Sequence, residues 1–211
     1  MTSGGAGRPS VVRPVFVVTG PSGAGKGTLI GALLERLPDQ LEVAVSATTR
    51  QQRPGEVDGR EYWFLSEAEF AARVEEDGFL EWVEYVSRKR YGTLRSEIDR
   101  IAGHGRVCVL ELEIDGALYV QEHVPGACTI FIAADVDELE RRLRERATES
   151  TGEIEDRITL ARYQLEQAHR FRYMVRNDDV DRASEVLAAI VERELTLASV
   201  GSPVRTGSEP T

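Results

Sequence analysis

The sequence has few cysteines, no long apolar run and no excess of positive charge. Its two cysteines, Cys108 and Cys128, cannot form a disulfide framework, and each lies in an apolar run typical of a small buried residue. The longest apolar runs, 15–18 and 129–134, are far too short to span a bilayer. Acidic residues outnumber basic ones 36 to 26, so phosphate repulsion is not offset over the surface as a whole. These absences argue against a disulfide scaffold, a membrane-spanning protein and a general binder of nucleic acid or anionic membranes.

The composition is sufficient for one compact domain. Of the 211 residues, 41% are apolar, which allows a sizeable core. The ends, 1–14 and 198–211, are rich in small and polar residues without periodic apolar positions, and are predicted to be flexible tails. The N-terminus lacks the apolar core of a secretory signal, so we expect a cytoplasmic protein.

Short apolar runs alternate with amphipathic stretches, which predicts an α/β fold with a parallel sheet and helices on both of its faces. The runs predicted as strands are 15–19, 43–46, 107–112, 129–133 and 174–177. The stretches predicted as helices are 26–37, 114–122, 136–146, 156–172 and 181–197.

Two segments interrupt this alternation. After Thr48, the turn signals Pro54-Gly55 and Asp58-Gly59 precede an alternating aromatic stretch, which predicts a small antiparallel insertion with one helix at about 67–76. The polar segment 147–156 is predicted to be a mobile flap.

A glycine-rich loop between the first strand and the first helix predicts a phosphate site. It consists of Gly20, Pro21, Ser22, Gly23, Ala24, Gly25, Lys26, Gly27 and Thr28. Glycines let successive N–H groups point at an anion, the helix N-terminus adds partial positive charge, and the lysine adds a full one. The alternative is a strand–helix turn without a ligand. Gly27 occupies the position at which such loops usually carry the hydroxyl that binds magnesium. The Gly-Lys-Gly-Thr ending resembles that of nucleoside-monophosphate kinases, in which phosphates and water hold the metal.

Two arginines and two tyrosines predict a second phosphate site. Arg50 and Arg53 lie three residues apart on a loop, and Tyr62 and Tyr91 follow. Guanidinium groups make bidentate contacts to a phosphate dianion, and phenols can donate further hydrogen bonds. Taken alone, the arginines are also compatible with solvated surface charges.

Several motifs together resemble the guanylate kinase family over residues 15–197. They are Ser-x-Thr-Thr-Arg-x-x-Arg-x-Gly-Glu from Ser46, then Asp-Gly-Arg-Glu-Tyr, Phe-Leu-Glu-Trp and Tyr-Gly-Thr. The resemblance implies a P-loop NTPase-type α/β core with an inserted GMP-binding α+β subdomain and a short mobile lid. The implied segments are a core at 15–47, 94–146 and 157–197, an insertion at 48–93 and a lid at 147–156.

The resemblance also implies a reaction, transfer of the γ-phosphoryl group of MgATP to GMP. The glycine loop would then bind ATP, and the two arginines and two tyrosines would bind the GMP phosphate. Ser46, Glu81 and Thr93 match the residues that recognise guanine. One carboxylate can accept both the N1–H and the N2 amine of guanine, whereas adenine offers N1 as an acceptor. Without the resemblance, Glu81 could be an exposed strand residue.

The remaining implied site residues surround the phosphates. Glu111 and Glu113 alternate to one side of a strand end; the resemblance implies magnesium-bound water at the first and GMP near the second, although the family usually has aspartates there. Strand-end solubility is the alternative. Arg146 and Arg157 bracket the flap and would close over the triphosphate, and Asn177 matches a loop near adenine or else caps a helix. No direct metal ligand is predicted; Thr28 and Glu111 lie nearby.

Three other functions stay open at this point. The loop ending favours a kinase for another nucleoside monophosphate, and related folds serve as protein-interaction modules. The arginine-rich run 141–146 could bind RNA, although Glu138–Arg142 and Glu140–Arg144 at helical spacing favour a self-paired surface. The oligomeric state and the acceptance of dGMP are open as well.

Overall fold

The structure, a computed structural model, describes residues 14–84, 88–145 and 151–200. The strands in these ranges are β1 (Phe16–Thr19), β2 (Leu41–Val43), β3 (Ala47–Thr48), β4 (Trp63–Phe64), β5 (Phe79–Glu84), β6 (Arg90–Leu94), β7 (Val107–Glu111), β8 (Cys128–Ala133) and β9 (Tyr173–Arg176). The helices are α1 (Lys26–Arg36), α2 (Glu67–Glu75), α3 (Arg95–Gly103), α4 (Ile114–His123), α5 (Val136–Glu145), α6 (Thr151–Glu166), a 3₁₀ turn (Gln167–Arg170) and α7 (Val180–Val200).

The main sheet has five parallel strands in the order β2-β7-β1-β8-β9. Side chains alternate between its two faces, so Phe16 and Val18 enter one core while Val15 and Val17 enter the other. The first core packs against α1, α5, α6 and α7, and the second against α3 and α4. The predicted α/β sheet covered on both faces is confirmed, as is the burial of both cysteines.

A second sheet lies in the insertion, with strand order β4-β3-β6-β5. β6 pairs antiparallel with β3 and β5, as predicted, whereas β3 and β4 run parallel. Helix α2 begins with a capping box between Ser66 and Glu69 and packs through Phe70, whose ring centroid lies 4.3 Å from that of Phe79. The limits of the insertion and of the core segments stay predictions.

Of the predicted strand 43–46, only Val43 belongs to a strand, because the chain crosses from one sheet to the other between Val43 and Ala47. β2 ends at Val43, and the N–H of Val45 donates to the Glu97 carboxylate at 3.0 Å instead of to a neighbouring strand. Glu97 belongs to α3, a helix that the sequence pattern does not predict. Arg100 of the same helix bonds both Glu97 and Glu42 of β2. Partial burial opposes ionisation of Glu42, but its hydrogen bonds outweigh that effect and lower its pKa to about 2.

Helix α6 starts earlier than predicted, at Thr151 rather than Asp156. The polarity of this segment favours a flap, but its glutamates are good helix formers and it contains no proline. The loop prediction is therefore wrong for 151–156. Residues 147–150 lie outside the described part of the chain, and the mobility of a lid stays a prediction. In the described part, no helix has the length and apolar character needed to cross a bilayer.

Candidate active site

The carboxyl ends of the parallel strands place most of the predicted groups at one edge of the main sheet. The glycine loop follows β1, Glu111 ends β7, and Asn177 follows β9. Because β1 pairs with β7 on one side and β8 on the other, the loop leaves the sheet at its centre. Ligands of open α/β sheets bind at this kind of edge.

A close main-chain approach constrains the start of the glycine loop. Gly20 has a φ of 141°, and a Cβ atom built on it would lie 2.2 Å from the carbonyl oxygen of Ile132. Helix α1 follows with no acidic residue in its first turn and no side-chain cap, so its first N–H groups stay available to an anion. Thr28 is exposed in this turn, and a Cβ on Gly27 would meet no atom within 4 Å.

Two cationic side chains bond the loop from different directions. Lys26 Nζ donates to the carbonyl oxygen of Gly20 at 2.8 Å, and Arg157 from α6 donates to Ser22 Oγ at 2.9 Å. Both positive charges therefore lie at the loop that is predicted to bind phosphate. The other predicted arginine of the flap, Arg146, lies outside the described residues.

Asn177 bonds the same loop from the end of β9. It is 1% exposed, and its Nδ2 donates to the carbonyl oxygen of Ala24 at 2.7 Å. The amide nitrogen of the residue predicted to lie near adenine is therefore bonded to the loop backbone.

A cavity of about 650 Å³ opens beside Lys26 and reaches the second sheet. The predicted residues that line it are Lys26, Ser46, Tyr62, Glu81, Tyr91, Glu111 and Glu113. Arg60 and Glu61 also line it without having been predicted, although they directly precede Tyr62 in a quoted motif. The predicted residues outside this lining include Arg50, Arg53, Thr93, Arg157 and Asn177.

An irregularity in β5 directs Glu81 into this cavity. The pairing shifts between Phe79, opposite Leu94, and Glu81, opposite Thr93, so one extra residue stands on β5. Phe79 and Trp82 both contact the ring of Phe70, whereas Leu80 between them packs into the core beneath α4. The bulge thus places Leu80 and Glu81 together on the side of the strand that faces α4.

Glycine opposite the bulge makes this arrangement possible. A Cβ on Gly92 would lie 2.7 Å from the Glu81 carbonyl oxygen and 2.8 Å from Trp82 Cβ. The next residue, Thr93, donates its hydroxyl to Glu81 Oε1 at 2.8 Å, and Glu81 is only 5% exposed. Burial raises the pKa of Glu81, and the bond from Thr93 offsets part of that rise.

Arg50 is oriented by a carboxylate from its own loop. Its guanidinium makes two hydrogen bonds to Glu56, at 2.8 and 3.0 Å, and lies 5.3 Å from the ring centroid of Tyr62. The N–H of Arg53 also donates to Glu56 at 2.8 Å, while the Arg53 side chain is exposed. Burial raises the pKa of Tyr62, so its phenol remains a donor at neutral pH. Glu56 stands in the quoted motif, but the sequence alone assigns it no role.

Glu111 and Glu113 both line the cavity, as their alternation predicts. Partial desolvation raises the pKa of Glu111, and the positive charge of Lys26 offsets part of that rise. Glu113 immediately precedes α4, and its carbonyl oxygen accepts the N–H of Ala117. Among the described residues, no three His, Cys, Asp or Glu side chains are clustered as metal ligands.

Comparisons with known proteins identify the family of the chain. The guanylate kinase family model matches residues 12–194. A guanylate kinase of Caldanaerobacter subterraneus subsp. tengcongensis is 46% identical over 85% of this chain and 87% of its own length. One from Synechococcus elongatus is 44% identical over 84% of this chain and 96% of its own. The crystal structure of guanylate kinase from Anaplasma phagocytophilum superposes with a TM-score of 0.67 over 88% of both chains at 22% identity, a likeness that concerns the fold. The chain belongs to the guanylate kinase family.

Proposed function

We propose that this protein is a guanylate kinase that transfers the γ-phosphoryl group of ATP to GMP, giving ADP and GDP. The observation that carries the proposal is that one cavity is lined by both Lys26 of the glycine loop and the buried carboxylate of Glu81. A phosphate-binding loop alone is compatible with many reactions, and the carboxylate narrows the acceptor to a base that presents adjacent donors.

On the donor side, the loop N–H groups and the N-terminus of α1 bind the phosphates of ATP. Lys26 exchanges its bond to the Gly20 carbonyl for the transferring phosphoryl group. Arg157 already reaches the loop at Ser22, where its guanidinium can neutralise developing charge. Arg146 has the same role in the proposal, and Asn177 acts through the loop backbone.

On the acceptor side, Glu81 accepts the guanine N1–H and N2 amine while the Thr93 hydroxyl holds one of its oxygens. Ser46 lies in the same cavity and supplies a hydroxyl to guanine O6. The residues proposed to bind the GMP phosphate are Arg50, Arg53, Tyr62 and Tyr91. Glu56 holds the guanidinium group of Arg50 in place, which reduces the side-chain entropy that Arg50 loses when the phosphate binds.

These residues stabilise a direct in-line transfer. A GMP phosphate oxygen forms the new bond to the γ-phosphorus, the bond to the β,γ-bridging oxygen breaks, and its electron pair leaves with ADP. The attacking oxygen is already anionic near neutral pH, so the transfer needs no general base. Lys26 and Arg157 neutralise the transferring group, and Arg50 neutralises the attacking one.

Magnesium belongs to the same proposal. The Glu111 carboxylate beside Lys26 and the exposed Thr28 hydroxyl are hard oxygen donors, which suit Mg²⁺ and its bound water. Glu111 would order that water, and Glu113 would lie near GMP. When bound, the ion would neutralise charge on the ATP phosphates. We also propose the core, insertion and lid limits given above, and a cytoplasmic location.

The test is phosphorylation of nucleoside monophosphates by the purified chain. ATP and magnesium are supplied with GMP, AMP, CMP or UMP, and ADP release is followed in a coupled assay. We expect GMP to be preferred by orders of magnitude, because adenine would leave the Glu81 carboxylate without its donors. A preference for another monophosphate, or no ADP release with any of them, would contradict the proposal.

A further inference from the structure

Gly116, in the first turn of α4, lies directly against the carboxylate of Glu81. A Cβ built on Gly116 would be 3.0 Å from Glu81 Oε2 and 3.6 Å from Glu81 Cδ. The next atom it would meet, Leu112 Cβ, is at an ordinary contact distance of 3.8 Å. The carboxylate is thus the group that a side chain at this position would displace.

The two oxygens of Glu81 lie against different elements. Oε1 accepts the hydroxyl of Thr93 from β6 in the second sheet. Oε2 lies 3.0 Å from the position that a Cβ on Gly116 would occupy, and Gly116 belongs to α4, which packs on the main sheet. The bulge in β5 directs Glu81 toward α4, and the absence of a side chain on Gly116 leaves space for its carboxylate there. A carboxylate is also favoured beside the N-terminal turn of a helix.

We infer that Gly116 is a specificity-determining residue of the acceptor pocket, because its lack of a side chain sets the position from which Glu81 meets the base. Both residues line the cavity, so a displaced carboxylate would move relative to the guanine edge. The inference deepens the proposed function and rests on it. It adds that the first turn of α4, a helix packed on the main sheet, positions the carboxylate that recognises the base.

The test is Gly116→Ala, with KM for GMP and KM for ATP measured separately. The methyl group would force Glu81 to shift by a few tenths of an ångström, so we expect KM for GMP to rise about tenfold and the preference over AMP to narrow. KM for ATP should stay within about twofold, since the glycine loop is untouched. Gly103→Ala is the matched control, because a Cβ there meets no atom within 4 Å.

Thermal unfolding separates this role from a structural one. Alanine is the better helix former, so an effect on helix stability alone would raise the melting temperature and leave both KM values unchanged. Calorimetric titration with GMP measures the same loss without turnover. An unchanged GMP affinity in Gly116→Ala would overturn the inference, whatever the melting temperature.

A second background tests whether Glu81 carries the effect. Aspartate at position 81 is shorter by one methylene and withdraws from the position of the added methyl group. We expect Gly116→Ala to cost about tenfold in GMP affinity with glutamate present and less than about twofold in the Glu81→Asp background. An equal loss in both backgrounds would overturn the inference. Failure of the proposed function would show differently, as a wild-type chain that does not phosphorylate GMP.

Discussion

The proposed donor and acceptor halves of the cleft are built in different ways. The donor half is one continuous loop, 20–28, whose shape depends on main-chain contacts such as the approach of Gly20 to the Ile132 carbonyl. The acceptor half is assembled from side chains that lie far apart along the chain, from Ser46 to Glu113. A loop of this kind binds phosphate in many enzymes, whereas the choice of acceptor depends on strand register and on helix packing.

The largest expected effect comes from the donor half. Lys26→Ala removes the loop's full positive charge, and we expect kcat/KM for GMP phosphorylation to fall at least about a hundredfold. The fold should persist, because Lys26 donates its hydrogen bonds to carbonyl oxygens of its own loop. The coupled assay measures the first expectation and thermal unfolding the second. Lys89→Ala is the control, since Lys89 lies outside the cavity lining. Near-normal turnover in Lys26→Ala would refute the role of the loop.

The corresponding change in the acceptor half is Glu81→Gln. The amide presents one acceptor and one donor group, whereas the two donors of guanine need two acceptors. We therefore expect kcat/KM for GMP to fall about thirtyfold and the preference for GMP over AMP to decrease. KM for ATP should not change. An equal rise in KM for GMP and in KM for ATP would show that the two halves of the cleft do not act independently.

The same carboxyl gives the acceptor half a pH dependence. Burial raises the pKa of Glu81, so on acidification it is protonated before an exposed glutamate would be, and KM for GMP should rise. The raised pKa also means that stability is lost as the pH rises from the ordinary pKa of glutamate to the raised one. Glu81→Gln should therefore flatten the KM profile and unfold at a higher temperature at neutral pH. The GMP phosphate titrates equally in the assays of the wild type and of Glu81→Gln. Superimposable profiles of KM against pH for the two proteins would therefore contradict the assignment of the pH dependence to Glu81.

A smaller effect is expected from the backbone that aims Glu81. Gly92→Ala places a methyl group against the bulge, 2.7 Å from the Glu81 carbonyl oxygen, and should destabilise the protein by about 2 kcal/mol. Gly31→Ala is the control: a Cβ there meets no atom within 4 Å, and it should stabilise α1 by up to about 1 kcal/mol. Chemical denaturation compares the two. If Gly92→Ala unfolds like the wild type, the bulge does not depend on this glycine.

The main sheet is predictable from the sequence because its strands are short apolar runs buried on both faces. The prediction fails where the polarity of a segment does not match the structure that the segment adopts. Helix α3 has few apolar residues and starts directly from β6 without a side-chain cap, although Ile98 and Ile101 have helical spacing. Residues 44–46 connect the two sheets and line the cavity. Because Ala44 and Val45 are apolar, this connection has the sequence pattern of a strand.

The site is predictable to the extent that its groups stand in contiguous motifs. Lys26 and Glu81 come from such motifs, and the structure places both on one cavity. The bulge at Leu80 and the contact of Gly116 with Glu81 arise only when β5 meets α4. Neither has a local signal, since a single glycine in a helix start is usually tolerated without a special role.

The smallest expected effect links the donor loop to the far end of the chain. Asn177→Ala removes the amide that bonds the Ala24 carbonyl at 2.7 Å and leaves that buried acceptor without this partner. The loop should then hold its phosphate-binding shape less strictly, so we expect KM for ATP to rise about fivefold. KM for GMP should not change, because Asn177 is not among the cavity-lining residues. Asp178→Ala, an exposed neighbour paired with Arg182, controls for disturbance of the α7 start. An equal rise in both KM values would mean that Asn177 supports the whole cleft instead of the donor loop, and the two halves would then share one anchor.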